Sequence, residues 1–238
     1  LFLGATNTIP YASTYTMAGT SRLDLNNFDQ ILSQLSGAGD ITNSSGTGRT
    51  LTFGLNDANT TFNGRFLGYN DSILGTLNIQ KIGSGSFGLT GGGSTSIGNQ
   101  TINGGAVTYS GTANTAFTQN IINRTGSLTL DNGGTVVNNR LGGILKSLTV
   151  AGGEFMLIGG ATNTIENLNQ LNNGSGQNVI TLVAGSGSTV LGFNTIQAQA
   201  GNSGVTTVMR GTGLGSALPG AGVTNILASA PNMSGGAG

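Results

Sequence analysis

Short apolar pieces separated by glycine-rich corners are the feature that most restricts how this chain can fold. They are clearest from Gly83 to Tyr109, where the sequence reads GSGSFGLTGGGSTSIGNQTINGGAVTY. Apolar residues alternate with small or polar ones for a few positions and then stop at a corner of Gly, Asn, Ser or Thr. Such period-two pieces are too short for helices and indicate strands. The sequence therefore predicts an all-β chain in which one strand pattern repeats. The apolar residues of this stretch are Phe87, Leu89, Ile97, Ile102, Val107 and Tyr109.

Strands this short are not stable alone. Ordering a residue costs roughly 1–2 kcal/mol of backbone entropy, whereas burying one Leu or Ile returns only about 1.5–3 kcal/mol. Stacking similar coils about 4.8 Å apart pairs the backbone edges and aligns inward side chains in columns. With about 20 residues per coil, we expect a right-handed parallel β-helix, or β-solenoid, of roughly ten coils. Asn at matching corners either forms hydrogen-bonded ladders along the axis or serves turn geometry alone.

The same pattern runs along most of the chain. We expect the solenoid over residues 1–210, with its best repeat match at 83–109, and an irregular final strand with a Gly/Pro-rich linker over 211–238. A single helical turn in Asn27–Leu35 is the minor alternative, because apolar residues there also follow a helical spacing. Since no Met precedes the strand pattern of Leu1–Leu3, we expect a piece of a longer protein.

The predicted strands follow one another at short intervals. They are centred on Leu1–Leu3, Tyr15–Met17, Leu23 with Leu25, Ile31–Leu35, Ile41, Leu51 to Leu55, Phe62, Phe66, Leu77 with Ile79, Ile121 with Ile122, Leu128 with Leu130, Val136 with Val137, Leu148 with Val150, Phe155 with Leu157, Leu168 with Leu171, Ile180 with Leu182, Val190 to Ile196, and Val208. The predicted corners are Ile9–Pro10, Gly37–Gly39, Asn56–Asp57 and Asn70–Asp71.

Composition limits the chemistry that the chain can support. Charged residues make up 7% and the formal net charge is zero, so neither a nucleic-acid footprint nor an electrostatic membrane anchor is indicated. The absence of Cys and His removes disulfides, thiolate metal sites and the commonest general base. Gly accounts for 44 of 238 residues without a Gly-X-Y period, which excludes collagen.

Carboxylates are the remaining candidates for catalysis. Residues about one coil apart lie side by side in a solenoid, so either Asp24 with Asp40 or Glu154 with Glu166 is a candidate acid pair of a glycoside-cleaving β-helix. Isolated acids more often solvate corners and protect strand edges. We therefore predict no catalytic, cofactor-binding or metal-binding residues. The carboxylates are Asp24, Asp29, Asp40, Asp57, Asp71, Asp131, Glu154 and Glu166.

Three further motifs point to structure rather than to ligands. Gly83 to Gly88 contains a GxGxxG match, but no helix pattern follows it, so a solenoid corner is expected. The Gly-Gly-x-Gly-x-Asp calcium repeat does not occur, and the acids are not clustered as an oxygen cage requires. The basic residues Arg124, Arg140 and Lys146 are expected to be solvated rather than bound to phosphate.

The stretch GSGSFGLTGG followed by TINGGAVTYS resembles the autotransporter-associated β-strand repeat. That repeat opens with Gly-x-Gly-x-Leu-x-Leu-x-Gly and closes with Thr-x-(Ile/Val)-x-x-Gly-x-Leu. Here Phe87 and Leu89 stand at the two leucines, and Ile102 and Val107 form the closing pair. The segments LFLGATNTIP, RLDLNNFDQILSQLSGAGDIT, GGEFMLIGGATNT and VMRGTGLG resemble those flanking the repeat in very large bacterial surface proteins.

This resemblance implies a non-enzymatic structural or adhesive module, namely a stiff extracellular spacer or fibre element of a bacterial cell-surface protein. We expect no cofactor, and the low charge and the lack of an apolar window of roughly 18 residues predict no nucleic acid and no membrane span within this fragment. The resemblance makes like modules stacked end to end the expected partners. Surface polysaccharide or extracellular matrix is the further candidate partner. The alternative is a carbohydrate-binding or polysaccharide-cleaving β-helix, although such proteins commonly carry a Trp/Tyr platform and this chain has no Trp.

Overall fold

The structure is a solenoid of parallel strands. The computed structural model describes residues 1–11, 13–44, 46–68, 76–95, 98–198 and 204–231. Twenty-one strands and no helix occur within these ranges. Every strand pair is parallel, and each strand except those at the edges of a sheet pairs with strands from the coils before and after it. The predicted all-β parallel solenoid is thus confirmed.

The strands form two long sheets and one short sheet. The first long sheet contains β1 (Thr14–Met17), β4 (Gln34–Gly37), β7 (Thr60–Phe62), β10 (Ser86–Leu89), β12 (Ala106–Tyr109), β14 (Ser127–Asp131), β16 (Glu154–Ile158), β18 (Gln177–Val183) and β20 (Thr206–Gly211). The second contains β3 (Gln30–Leu32), β6 (Arg49–Phe53), β9 (Leu77–Lys81), β11 (Asn99–Ile102), β13 (Gln119–Asn123), β15 (Ser147–Ala151), β17 (Thr164–Asn173), β19 (Thr189–Ala198) and β21 (Thr224–Pro231). The short sheet contains β2 (Arg22–Asp24), β5 (Asp40–Thr42) and β8 (Arg65–Leu67).

Coil length varies along the stack. In the first long sheet, Thr16 lies beside Ser36, 20 residues later, whereas Thr181 lies beside Arg210, 29 residues later. Each long sheet holds nine strands. The number of coils is therefore somewhat lower than the roughly ten expected, because loops lengthen many coils beyond the 20 residues assumed.

Inward side chains form apolar columns, as the period-two pattern predicts. Phe87, Val107, Leu128, Phe155 and Ile180 succeed one another in the strand register of the first long sheet. Each is at most 1% exposed. Since burying one such side chain is worth about 1.5–3 kcal/mol, a column that continues through many coils supplies stability that no single coil has.

The backbone conformation of the corners explains why Gly, Asn and Asp residues separate the strands. Gly83 has φ of 73°, and a Cβ placed there would lie 2.1 Å from the carbonyl oxygen of Gly54 in the preceding coil. Asp57 also adopts a left-handed conformation, with φ of 58°, and its Oδ1 accepts a 2.6 Å hydrogen bond from the N–H of Ser84. The predicted corner at Asn70–Asp71, like Ile97, lies outside the described residues.

Asparagine side chains also bond along the axis. Asn123 Nδ2 donates to Asn103 Oδ1 at 2.8 Å, and Asn194 Nδ2 donates to Asn169 Oδ1 at 3.2 Å. Other Asn side chains accept from the backbone of the next coil, as Asn59 Oδ1 does from Ser86 N–H at 2.8 Å. Asn therefore serves both as a turn residue and as an axial link, and the two roles left open by the sequence coexist.

Three predicted strand positions are wrong. Val136 and Val137 lie in an irregular loop, where Val137 N–H donates to Asn132 Oδ1 at 2.8 Å instead of joining a sheet. Leu1–Leu3 forms only one isolated bridge, between Phe2 and Asp24. Leu55 lies in the turn after β6 and is 50% exposed. Val136, Val137 and Leu55 pair with no strand of a neighbouring coil, and Leu1–Leu3 pairs with β2 only through that bridge.

Two further segments are strands in the structure. The helical alternative for Asn27–Leu35 is wrong, because this segment contains β3 and enters β4, and both strands pair within their sheets. The last strand, β21, lies in the tail that the sequence separates from the solenoid. It pairs with β19 over Thr224–Pro231, so ordered stacking continues to Pro231.

Candidate functional site

The candidate acid pair near the first coils is not a pair in the structure. Arg22 lies beside Asp40 in the register of β2 and β5, and Asp24 lies beside Thr42. The buried carboxylate of Asp24 accepts N–H bonds from Asn26 at 2.9 Å and from Ser44 at 3.0 Å. Asp40 instead contacts two arginines at the surface. The two carboxylates thus hold different parts of the chain.

The surface carboxylate of Asp40 lies between the guanidinium groups of Arg22 and Arg65. Arg65 Nε donates to Asp40 Oδ1 at 2.8 Å and Arg65 Nη2 donates to Oδ2 at 3.0 Å, which is a bidentate pair. Arg22 Nη2 reaches Oδ2 at 3.4 Å. Hydrogen bonding to Asp40 and its negative charge raise the pKa of Arg65. These contacts link β2, β5 and β8 across the outer surface of the short sheet.

The second candidate pair, Glu154 and Glu166, is divided between the two long sheets. Glu154 lies in β16 of the first long sheet, where Oε1 accepts from Thr181 Oγ1 at 2.9 Å and from Arg210 Nη2 at 3.1 Å. Glu166 lies in β17 of the second long sheet and is 1% exposed. Neither pair proposed from the sequence therefore converges on one cleft.

The other carboxylates for which contacts are described bond to backbone N–H groups. Asp29 Oδ1 accepts from Thr50 at 2.8 Å and Asp131 Oδ1 accepts from Gly133 at 2.8 Å. Asp71 lies outside the described residues. Among the described residues, no group of three or more acidic side chains is arranged to hold a metal ion.

Arg140 is the largest departure from the sequence-based expectation. The sequence predicts a solvated side chain, but Arg140 is 0% exposed. Burial lowers the pKa of its guanidinium, while the nearby carboxylates of Glu166 and Asp131 raise it. Its N–H groups donate to a ring of acceptors: Asn132 Oδ1 at 2.9 Å and the carbonyls of Ala113 at 2.5 Å, Gly111 at 3.0 Å, Asp131 at 3.1 Å and Thr135 at 2.7 Å.

This network ties the irregular loop of residues 132–146 to the coil before it. The carbonyls that accept from Arg140 come from residues 111 and 113 as well as from the loop itself. The backbone N–H of Thr115 also donates to the carbonyl of Arg140, at 2.7 Å. No sequence pattern indicates such a site, because its acceptors are main-chain carbonyls that any residue carries.

Glu166 belongs to the same buried region. Its Oε1 accepts from the N–H of Leu141 at 3.1 Å. Burial raises the pKa of Glu166 to about 8, although the N–H groups of Leu141 and Arg140 and the charge of Arg140 lower it. The neutral acid is thus the main form near pH 7. The sequence held a signal for this burial, since Glu166 lies two residues before the inward Leu168.

Two further polar side chains are buried against the coils. Lys81 is 2% exposed, and its Nζ donates to the carbonyls of Ile82 at 2.7 Å and Gly83 at 3.2 Å. Burial lowers the pKa of Lys81, and the charge of Asp57 raises it. The GxGxxG match is therefore a solenoid corner in which Gly83 accepts a bond from this lysine. Tyr109 donates to Gln100 Oε1 at 2.7 Å inside the core, where burial raises its pKa.

The two ends of the stack differ. At the first end, residues 1–11 partly cover β2 and β3: Leu3 N–H donates to the carbonyl of Asp24 at 3.1 Å, and Asn7 Oδ1 accepts from Ile31 N–H at 3.0 Å. At the other end, β20 and β21 each pair with one strand only in the described part of the chain. The inward side chains at this open end, Met209 of β20 and Ile226 of β21, pack against the core but are only partly buried.

Comparisons with protein-family models, with curated proteins and with solved structures each found no match. In the described residues, no helix of the length and hydropathy required to cross a membrane occurs.

Proposed function

We propose that this chain is a non-enzymatic structural and adhesive module, a stiff extracellular spacer or fibre-forming element of a bacterial cell-surface protein. The working surfaces are then the strand edges at the ends of the stack and the outer corners of the coils. The extracellular and bacterial parts of the proposal rest on the resemblance to the autotransporter-associated β-strand repeat, which stays a prediction.

The open edge formed by β20 and β21 is the observation that carries this proposal. An unpaired parallel edge presents N–H and C=O groups that another strand can use, and proteins usually blunt such edges with charges or cover them. Here Met209 and Ile226, which continue the inward columns on the two edge strands, are only partly buried. The edge therefore suits a further coil, either from the same polypeptide or from a second molecule stacked head to tail.

The bonding of the acids supports a structural rather than a catalytic role. Glycoside cleavage needs two carboxylates facing each other across the scissile bond. Asp40 is held by Arg22 and Arg65, while Glu154 is held by Thr181 and Arg210. These carboxylates connect strands of successive coils, which is the contribution expected of a stiff rod.

Self-association of the purified chain tests the proposal. Multi-angle light scattering over a concentration series should show the wild-type chain growing in mass, with rods visible by electron microscopy. Met209→Lys combined with Ile226→Lys should keep it monomeric, because these side chains continue the inward columns at the edge and inward-facing lysines there oppose pairing. Thr129→Lys, in the middle of the first long sheet, serves as the control and should associate like the wild type. A wild-type chain that stays monomeric at every concentration would reject head-to-tail stacking.

A carbohydrate-active β-helix is the second candidate, favoured by one observation. A surface pocket of about 410 Å³, lined by Asn103, Asn123, Arg124, Ala151 and Ser175, offers the amide, hydroxyl and guanidinium groups that sugars bind. Incubation with polysaccharides, followed by measurement of both retention and new reducing ends, separates the candidates. Retention without reducing ends fits an adhesive module, whereas released sugars would reject the non-enzymatic role.

A further inference from the structure

The backbone of Arg124 is unusual among the corners of this solenoid. Its φ is 53°, and every other described non-glycine residue with positive φ is Asn or Asp. Arginine has no short polar side chain to offset the cost of this conformation. Asn123 lies beside Ala151 in the register of β13 and β15, so Arg124 stacks against Gly152, which has φ of 83°. Glycine would fit the position of Arg124 without strain, so stability does not explain the arginine.

The side chain of Arg124 has no partner in the described chain. Arg22, Arg65 and Arg210 contact carboxylates, as described above. Arg49 donates to Asn27 Oδ1 at 3.0 Å, and Arg140 is buried among its acceptors. Arg124 is exposed, and none of the described ion pairs or side-chain hydrogen bonds involves its guanidinium. Its charge is therefore available to a ligand.

The surroundings of Arg124 form a pocket rich in hydrogen-bond donors. We call it the Arg124 pocket; its volume of about 410 Å³ falls within the range of small-molecule sites. The 2.8 Å bond from Asn123 Nδ2 to Asn103 Oδ1 fixes both amides and leaves the NH₂ group of Asn103 without a partner in the described chain. The hydroxyl of Ser175 is likewise unbonded there, and none of the lining residues carries a carboxylate.

We propose that the Arg124 pocket binds an acidic sugar unit of a polysaccharide, with the oxyanion on Arg124 and sugar hydroxyls on Asn103 and Ser175. A guanidinium forms two parallel, charge-assisted hydrogen bonds with a carboxylate or sulfate, which justifies an arginine rather than a glycine at this corner. The polymeric nature of the ligand rests on the adhesive part of the proposed function. The oxyanion belongs either to a uronic acid or to a sulfated sugar, which share this chemistry.

An NMR titration of the isotope-labelled chain tests the site. The probes are glucuronate, glucose 6-sulfate and, as the neutral control, glucose. We expect either acidic sugar to shift the amide signals of Asn103, Asn123 and Ser175, and glucose to leave them unchanged. Which of the two acidic sugars binds more tightly then identifies the source of the oxyanion.

Two variants make the result specific. Arg124→Gly places at this corner the residue found at position 152, and it should weaken binding by at least roughly tenfold while leaving the melting temperature equal or higher. Arg210→Gln removes one exposed charge elsewhere and should bind like the wild type. Light scattering of Arg124→Gly should match that of the wild type, so failure of this site and failure of coil stacking are distinguishable. The proposal is overturned if neither acidic sugar shifts these signals, if glucose shifts them equally, if Arg124→Gly retains the affinity, or if Arg124→Gly is less stable.

Discussion

Each coil has a third side, where the chain passes from the first long sheet to the second. This third side is closed in two different ways along the chain. In the first coils it is a short sheet of three strands, β2, β5 and β8, which continue one another in register. In the later coils the segments between the two long sheets, including 110–118 and 132–146, contain no strand. The strand-closed side buries Leu23, Ile41 and Phe66, whereas the loop-closed side buries Arg140 against Glu166 of β17.

The difference shows how a solenoid accommodates coils of unequal length. A strand satisfies its own N–H and C=O groups through its neighbours, so its backbone needs no donor from a buried side chain. A loop of variable length leaves carbonyls without partners, and burying them costs free energy unless donors are supplied. Arg140 supplies several donors at one point. The loop-closed side should thus depend on one residue, and the strand-closed side on many.

Replacing Arg140 with Ala should have the largest effect. It leaves the buried carbonyls of Ala113 and Thr135, among others, without their donor, so we expect a loss of about 5 kcal/mol or more in the free energy of unfolding. Denaturant unfolding measures it. Arg140→Lys should restore only part of the loss, because an ammonium cannot reproduce the planar fork. Arg210→Ala, at the surface, is the control; equal effects of Arg140→Ala and Arg210→Ala would contradict the proposed role.

Phe66→Ala should come next, on the strand-closed side. The ring of Phe66 lies 5.6 Å from that of Phe62, 6.5 Å from Phe87 and 6.4 Å from Phe117. Its removal leaves a cavity, and we expect destabilisation of about 3–5 kcal/mol by thermal or denaturant unfolding. Phe66→Leu should cost clearly less, since it keeps much of the volume. A cost near zero for Phe66→Ala would mean that this side is not a packed core.

Glu166 should make stability depend on pH in an uncommon direction. Its pKa is raised to about 8 in the folded chain from 4.5, mainly by burial. The folded state therefore holds the proton more tightly, so stability is complete below about pH 4.5 and is lost as pH rises towards 8. Roughly 3 kcal/mol should disappear by pH 7.

Glu166→Gln isolates this effect, because it keeps the shape and cannot ionise. The variant should show a flatter stability profile between pH 5 and 8 and should be the more stable chain at pH 7. The sequence contains no His, the side chain whose ordinary pKa lies in this window. Glu154→Gln, at a partly exposed ion pair, should keep the wild-type slope. An unchanged slope in Glu166→Gln would contradict the neutral buried acid.

Asp40→Asn should have the smallest effect, although its arginine contacts are the most obvious polar feature of the strand-closed side. The ion pairs are exposed, and such pairs contribute at most about 1 kcal/mol. The difference from wild type should shrink further as salt is added. A loss as large as that of Arg140→Ala would show that both sides depend on single polar residues and would remove the contrast between them.

The apolar columns could be predicted from the sequence because period two assigns each residue a face. Phe87, Leu89 and Val107 are buried as expected, and the same parity, counted back from Leu168, places Glu166 inside. The corners could be predicted too, since left-handed backbone selects Gly, Asn and Asp.

The sequence could not separate the two ways of closing the third side. Short strands and irregular loops have similar composition here, so Val136 and Val137 suggested a strand where the chain forms a loop. The burial of Arg140 depends on carbonyls from residues 111 and 113, which come together only after the coils stack. The Arg124 pocket likewise combines side chains from several coils.

Cysteine cross-linking tests most directly the claim that successive coils stack in parallel register. The chain has no native Cys, so engineered pairs report unambiguously. Thr108 of β12 lies beside Thr129 of β14, whereas Thr101 is close in sequence to Thr108 but belongs to the other long sheet. Neighbouring strands, about 4.8 Å apart, suit a disulfide. The account predicts that Thr108→Cys with Thr129→Cys oxidises rapidly and that Thr101→Cys with Thr108→Cys does not. The reverse result would contradict the stacked-coil structure.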